Sequence, residues 1–195
     1  MGINLPNLLA FSRVFLTFLI MGLLFMPGLL AKILALGLFL LAAATDWLDG
    51  FFARRFGQVT AFGVLLDPIA DKVLVIGLLL SFVQLRLVPA WMVLLIILRE
   101  LLITGVRLYA ASRNTVIPAA REGKHKTISQ MLTILIILGL LLVRECQTGA
   151  AAASFEVRLQ HIALLCMWMT VVLTVYSGAA FFWNNRAMFS DASSR

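Results

Sequence analysis

Long apolar runs, separated by short polar, glycine-bearing or proline-bearing segments, recur along the whole chain. Each run is about 20 residues long, the length that an α-helix needs to cross the hydrocarbon core of a bilayer. The pattern predicts an all-α chain of six helices: one within residues 1–30, then 32–56, 62–84, 89–111, about 127–143 and about 160–183. The main connections are expected at 57–61, 112–126 and 144–159.

The first run is expected to be a retained helix that starts near Pro6 and Asn7. A cleaved signal peptide is disfavoured because Arg13 lies inside the run and no small-residue cleavage site follows it. Arg13 itself either snorkels to the membrane surface or lines a cavity.

The amino-acid composition indicates the class of protein. Of the 195 residues, 62% are hydrophobic and only 13% are charged, and the mean hydropathy is +1.02. A soluble domain is only about half apolar, so we predict one integral membrane domain, residues 1–195, built as a bundle of six transmembrane helices. The net charge of +7 fits basic cytoplasmic loops and anionic lipid or phosphate partners rather than nucleic acid.

Lysines and arginines divide unequally between the two ends of the predicted bundle. Leaving out Arg99, which lies mid-segment, eleven fall at the end that carries Asp46 and Asp71. Four fall at the other end: Lys32, Arg86, Arg144 and Arg158. Because cytoplasmic loops carry the excess of basic residues, both termini and the acidic residues are expected on the cytoplasmic side of the inner membrane.

Four aspartates flank the connection between the second and third predicted helices: Asp46, Asp49, Asp67 and Asp71. Helical spacing puts each pair on one face with small residues and a guanidinium, namely Gly50, Ala53 and Arg54 for the first pair and Gly63 for the second. A charge at mid-bilayer costs roughly 2.5–3.5 kcal/mol, so these acids need partners. Carboxylate oxygens suit hard cations such as Mg²⁺, Mn²⁺ or Ca²⁺, which predicts a metal site.

Two structural alternatives compete with the metal site. Asp67 could cap a helix whose first residue is Pro68, but this explains one aspartate of four. The aspartates could instead form structural ion pairs with Arg54, although the glycines and Ala53 keep the same face open for a ligand.

Basic residues suggest a second site at the same end. Arg99 and Arg107 are eight residues apart on one helix, so both guanidinium groups can face one polar cavity. An ion pair between Arg99 and Glu100 is disfavoured because helical neighbours at i and i+1 do not face each other. Lys124 and Lys126 precede the fifth predicted helix, where ammonium and backbone N–H groups together suit a phosphate, although a basic cytoplasmic loop is expected in any case.

Acids that hold two divalent ions, with basic residues around them, suit an anionic ligand rich in oxygen, and a diphosphate fits. One carboxylate must then accept a proton from the attacking group. Asp71 is the candidate because it lies deepest along its helix, but spacing alone does not separate it from Asp67. A divalent-cation transporter would want its acids near the bilayer midplane, and a non-catalytic scaffold would not need them.

The acidic stretch resembles, in every fixed position, the signature of the CDP-alcohol phosphotransferases: Asp46-x-x-Asp49-Gly50-x-x-Ala53-Arg54-x8-Gly63-x-x-x-Asp67-x-x-x-Asp71. The resemblance implies an enzyme whose four aspartates hold two Mg²⁺ or Mn²⁺ ions and whose Asp71 deprotonates an alcohol. It also implies a site for the CDP-lipid formed by Pro6, Asn7, Asp46, Gly50, Ala53, Arg54, Thr60 and Gly63. One position departs from the expected pattern, since Ala10 stands where a threonine is expected.

Further matches resemble the bacterial subfamily that makes phosphatidylglycerophosphate and CMP from CDP-diacylglycerol and glycerol 3-phosphate. They include Leu66-Asp67-Pro68, Arg99-Glu100, Thr104-Gly-Val-Arg107 and Gly123-Lys124-His125-Lys126-Thr127. The acceptor phosphate is then expected to contact Arg99, Arg107, Lys124, Lys126 and Arg186. Within the family, the alternative is a cardiolipin synthase that uses phosphatidylglycerol, against which the basic loop argues. Members often form dimers, so a homodimer is an expected partner beside the membrane lipids.

Overall fold

Six α-helices make up the computed structural model of the protein. It describes the backbone of residues 5–56, 61–112 and 122–186 and the side chains of residues 11–45, 70, 72–112, 126–149 and 151–186. The helices are α1 (Leu5–Phe25), α2 (Leu29–Phe56), α3 (Ala61–Gln84), α4 (Ala90–Ser112), α5 (Glu122–Glu145) and α6 (Ala150–Asn184). Over the described residues, the prediction of an all-α chain with six helices is confirmed.

Large apolar side chains cover the outside of the helices. Every helix exposes at least one of them: Phe15, Leu30, Leu80, Leu101, Ile128 and Leu165. Soluble proteins rarely expose apolar surface on this scale. Two segments, Lys126–Glu145 and Ala151–Asn184, are long and apolar enough to cross a bilayer, and the described parts of α1, α2 and α3 hold shorter apolar stretches. The chain is a membrane protein.

The last two helices begin earlier than predicted. α5 starts at Glu122 rather than near residue 127, and α6 starts at Ala150 rather than near residue 160. Hydropathy locates only the part of a helix that lies in the bilayer, whereas alanine, which fills 150–153, has the highest helix propensity. With 35 residues, α6 is about 52 Å long, which exceeds a hydrocarbon core of about 30 Å.

Gly77 allows α3 to lie close to α1, which packs against both α2 and α3. A Cβ added at Gly77 would lie 2.8 Å from Thr17 Cγ2 and 3.1 Å from Met21 Sδ. Thr17 is buried, and its hydroxyl donates to the carbonyl of Arg13 at 2.8 Å. The threonine methyl therefore has little freedom to move, and Gly77 sets the distance between the two helices.

Replacing Gly77 with Ala is expected to lower the thermal unfolding midpoint of the purified protein in detergent, because overpacking costs about 1–3 kcal/mol. Gly37→Ala is the matched control, since nothing lies within 4 Å of an added Cβ there and alanine favours a helix more than glycine does. A Gly77→Ala protein as stable as the Gly37→Ala protein would show that α1 and α3 are not in close contact at this point.

A tight turn brings α4 back alongside α3. The N–H of Leu87 donates to the carbonyl of Phe82 at 3.0 Å and the N–H of Arg86 to that of Val83 at 2.9 Å. Arg86 takes the left-handed conformation, with φ of 58°, that this type of helix end requires. The turn returns the second half of α4 to the level of the first half of α3, where the candidate site lies.

Polar contacts join the helices at the end of the structure opposite the candidate site. Lys32 Nζ donates to the carbonyl of Leu24 at 2.8 Å, which satisfies an open carbonyl at the end of α1. Glu145 Oε2 accepts from the N–H of Gly28 at 3.1 Å, and the neighbouring Arg144 lies 3.7 Å from a Glu156 oxygen. The end of α5 is thereby fixed both to the turn between α1 and α2 and to the start of α6.

Hydroxyl groups join α5 to α6 along the buried seam between them. Thr170 Oγ1 lies 2.9 Å from Ser129 Oγ and 2.8 Å from Thr133 Oγ1. Apolar side chains contact lipid as readily as they contact another helix, whereas interhelical hydrogen bonds favour one particular helix pairing. They hold the N-terminal half of α5, which carries Lys126, in a fixed position against α6.

Candidate active site

The predicted metal ligands fall on two consecutive helices, near the ends that residues 57–60 join: Asp46 and Asp49 on α2, Asp67 and Asp71 on α3. Their side chains lie outside those that the structure describes, so the metal site stays a prediction. The backbone nevertheless corrects one alternative. Because α3 begins at Ala61, Asp67 lies inside the helix, and the idea that it caps a helix starting at Pro68 is wrong.

The other predicted ligands of the CDP-lipid also stay predictions. Several positions are described as helix without their side chains: Pro6, Asn7, Gly50, Ala53, Arg54 and Gly63, as well as Lys124 of the acceptor set. Thr60 lies outside the described residues.

Lys72, the residue after Asp71, links the first half of α3 to α4. Its ammonium group donates a hydrogen bond to Thr104 Oγ1. Thr104 lies between Arg99 and Arg107 on α4. The contact therefore places the aspartate-bearing part of α3 beside the arginine-bearing part of α4.

Glu100 is the centre of a buried ion-pair cluster. Its Oε1 lies 3.3 Å from Arg99 Nη1 and also accepts a hydrogen bond from Lys126 Nζ on α5. The side chains of Arg99, Glu100 and Lys126 are only 14%, 12% and 8% exposed. The expectation that Arg99 and Glu100 do not face each other is wrong, because long side chains reach their sequence neighbour when a partner on another helix lies nearby. Two predicted phosphate ligands, Arg99 and Lys126, are brought together.

Arg99 is also held by α6. Its Nη2 donates to Ser177 Oγ at 2.7 Å. Gly178 leaves room for the arginine, since a Cβ there would lie 3.3 Å from Arg99 Cγ. The Nε of Arg99 is buried and has no hydrogen-bond partner among the described residues. Buried donors normally meet an acceptor, so this N–H group is suited to a ligand.

The two other described arginines of the predicted acceptor set lie nearer the end of the bundle. Arg107 places its guanidinium 5.7 Å from the centre of the Phe181 ring, and its positive charge acts against that of Arg99. Arg186 lies just beyond α6, with its guanidinium 4.8 Å from the centre of the Trp183 ring. Both are exposed and can reach a soluble anion.

A cavity of about 40 Å³ lies beside the ion-pair cluster. Its polar lining comes from three helices: Lys72 of α3, Glu100 of α4, and Lys126, Thr127 and Gln130 of α5. Gln130 is buried, and its Nε2 has no hydrogen-bond partner among the described residues. The cavity thus offers a second buried donor next to the cations.

Three polar residues at this site, Gln130, Thr104 and Ser177, are not among the predicted site residues. Gln130 lies one helical turn after Lys126, and Thr104 lies between the two arginines, so helical spacing could have found both. Ser177 meets Arg99 only because α6 packs against α4, and no spacing in the sequence contains that information.

Arg13 lies inside the bundle. Its side chain is 1% exposed, so the structure excludes snorkelling to the surface and favours the alternative, in which the arginine lines the interior. An arginine at this depth requires polar or anionic neighbours.

The chemistry of the donor set fits divalent cations. Four carboxylates provide hard oxygen ligands of the kind that Mg²⁺ and Mn²⁺ prefer. Among the described side chains there is no cluster of three or more His, Cys, Asp or Glu residues.

The fold and the site define a membrane protein whose polar end is suited to an anionic substrate. The sequence model of the CDP-alcohol phosphatidyltransferase family matches residues 3–178, and the chain belongs to this family. It is 37% identical over 194 residues to the CDP-diacylglycerol–glycerol-3-phosphate 3-phosphatidyltransferase of Bacillus subtilis (strain 168), covering 93% of this chain and 95% of that protein. The protein of the same name from Rickettsia typhi is 33% identical over 180 residues, covering 92% and 95%. The resemblance seen in the aspartate spacing is confirmed.

Proposed function

We propose that residues 1–195 form one membrane domain that transfers the phosphatidyl group of CDP-diacylglycerol to glycerol 3-phosphate, giving phosphatidylglycerophosphate and CMP. Two relatives that align over more than nine-tenths of the chain are named for this reaction. On this chain's own residues, the observation that carries the proposal is the meeting of Arg99 and Lys126 at Glu100. This contact brings together two cations, which we propose bind the acceptor phosphate, near the helix that carries Asp71.

In the proposed reaction, a hydroxyl oxygen of glycerol 3-phosphate attacks the phosphorus atom that bears the diacylglycerol. The new P–O bond forms as the bond from that phosphorus to the CMP oxygen breaks, and Asp71 accepts the hydroxyl proton. Two Mg²⁺ or Mn²⁺ ions held by the four aspartates would neutralise negative charge on the diphosphate.

The CDP-lipid site is assigned to the signature and to the start of α1. Gly50, Ala53 and Gly63 leave room for the cytidine diphosphate, while Arg54 and Thr60 offer donors to it. Pro6 and Asn7 complete the site. A lipid donor can then keep its acyl chains in the bilayer while its headgroup lies at the membrane surface.

The acceptor phosphate is assigned to Arg99, Arg107, Lys124, Lys126 and Arg186. A phosphomonoester carries a charge of about −1.5 to −2 at pH 7, and described cations outnumber the single described carboxylate, Glu100, at this point of the structure. Charge-assisted hydrogen bonds to phosphate are stronger than neutral ones, so the buried donors of Arg99 and Lys126 favour this ligand.

All six helices are proposed to cross the inner membrane, with the active site and both termini on the cytoplasmic side. The excess of basic residues at the site end supports this orientation. It also gives the water-soluble acceptor direct access from the cytoplasm.

The proposal is tested by assaying the purified protein with CDP-diacylglycerol and a panel of acceptors: glycerol 3-phosphate, phosphatidylglycerol, glycerol and inositol 1-phosphate. CMP is quantified and the lipid product is identified by mass. We expect phosphatidylglycerophosphate from glycerol 3-phosphate alone. Cardiolipin formed from phosphatidylglycerol would identify the family alternative, and cation flux into proteoliposomes without CMP release would identify a transporter.

Replacing Arg107 with Ala is expected to raise the KM for glycerol 3-phosphate by about 10-fold or more, because a hydrogen bond to a charged group is worth about 1.5–3 kcal/mol. The KM for CDP-diacylglycerol should change far less. Both constants come from initial rates of CMP release.

Arg158→Ala is the matched control for Arg107→Ala. Its guanidinium also lies over a phenylalanine ring, 5.8 Å from the centre of Phe155, but near the opposite end of α6. Both KM values should stay at wild-type level. Equal rises in the two KM values for Arg107→Ala would count against a role in acceptor binding.

A further inference from the structure

We propose that Glu100 is a positioning residue for acceptor binding: its carboxylate holds Arg99 and Lys126 in the orientation that the phosphate of glycerol 3-phosphate requires. The inference rests on the proposed function. It adds a negatively charged residue, which would not itself bind a phosphate, to the machinery that does.

Glu100 connects two helices through one oxygen atom. Oε1 contacts Arg99 Nη1 on α4 and Lys126 Nζ on α5. Arg99 is fixed from a second side by Ser177 of α6, and its Nε is buried without a hydrogen-bond partner among the described residues. The carboxylate thus orients both cations while leaving a donor available for the acceptor.

The energetic reason is preorganisation. Arginine and lysine side chains each carry about 2 kcal/mol of rotamer entropy, which a ligand must otherwise overcome when it orders them. Without a carboxylate between them, two buried cations would also repel each other and turn apart. Glu100 lowers both the entropic cost of ordering these side chains and the repulsion between them before the acceptor binds.

Charge alone predicts the opposite effect, which makes the inference testable. If Glu100 acted only through its field, removing its negative charge would make the site more positive and strengthen phosphate binding. If it acts by positioning the cations, removing the charge weakens phosphate binding. The sign of the change in KM for glycerol 3-phosphate therefore separates the two.

The experiment compares wild-type protein with Glu100→Gln, which keeps the size of the side chain and removes its charge. In lipid nanodiscs containing CDP-diacylglycerol, the KM for glycerol 3-phosphate is expected to rise about 10-fold or more, with the lipid KM within about twofold. The effect should be much smaller when Lys126 is already replaced by Met, because residues that act through one another are not additive.

Glu156→Gln is the matched control. Glu156 also pairs with an arginine, Arg144, at 3.7 Å, but Arg144 lies eighteen residues along α5 from Lys126, or about 27 Å. Both KM values should remain at the wild-type level in this variant, so a rise in KM is specific to the carboxylate at the site.

A lowered or unchanged KM for glycerol 3-phosphate in Glu100→Gln overturns the inference, and so do equal rises in both KM values. If Glu100→Gln does not fold, Glu100→Asp, which keeps the charge but shortens the side chain, is judged by the same criteria. Failure of the proposed function would be distinct from these results, since the wild-type protein would then release no CMP with glycerol 3-phosphate.

Discussion

Replacing Asp71 with Asn should reduce CMP release by at least about 100-fold. An amide cannot accept the proton of the attacking hydroxyl, and a positioned general base contributes about 10²–10⁴-fold to the rate. The exchange also removes one of the four proposed carboxylate ligands of the metal ions. The rate is measured on purified protein with saturating CDP-diacylglycerol and glycerol 3-phosphate, after checking that the thermal midpoint matches that of the wild type.

Asp191→Asn is the matched control, since it makes the same chemical change outside the signature and should leave the rate unchanged. Comparison with Asp67→Asn distinguishes the proposed general base from a residue proposed only to bind metal. Added Mg²⁺ should partly restore the rate of CMP release in Asp67→Asn but not in Asp71→Asn. Full activity in Asp71→Asn would contradict the catalytic proposal and support a scaffold.

The third and fourth helices could be predicted closely because the apolar sequence is interrupted sharply between them. α3 and α4 lie within one residue of their predicted ends. Between them, Arg86 and Pro89 break an otherwise apolar sequence, and proline and charged residues mark a chain reversal clearly.

The starts of α5 and α6 could not be predicted from hydropathy because both extend beyond the apolar segment. Glu122 to Lys126 is polar, yet it continues the helix that carries Thr133 and Ile137. A helix whose first turns lie outside the hydrocarbon core leaves no hydropathy signal there, and only helix propensity, as in the alanines before Ser154, indicates it.

The aspartate signature could be identified from the sequence because its fixed spacing lies within one local stretch. The ion-pair cluster could not be predicted, because Glu100, Lys126 and Ser177 lie on three helices and no local spacing specifies how those helices pack. Spacing along α4 alone argues against an ion pair between Arg99 and Glu100. The structure shows that Lys126 of α5 contacts the same carboxylate, so that Glu100 pairs with two cations.

Chelation of divalent cations is expected to abolish the proposed phosphatidyltransferase activity. Removing divalent ions with EDTA should lower CMP release by at least about 1,000-fold, because the charge of the diphosphate would no longer be neutralised, an effect worth several kcal/mol. Mg²⁺ or Mn²⁺ added in excess over the chelator should restore the rate, while EDTA already saturated with Mg²⁺ should have no effect.

If the four aspartates bind the metal ions, the proposed metal requirement should depend on pH and on the aspartates themselves. Protons compete with cations for aspartate oxygens, so the Mg²⁺ concentration that gives half-maximal rate should rise as the pH falls. Asp49→Asn should raise that concentration at every pH, since it removes a charged ligand, whereas Asp191→Asn should leave it unchanged. A metal-stripped wild-type protein that still released CMP at full rate would contradict the assignment of all four aspartates as metal ligands.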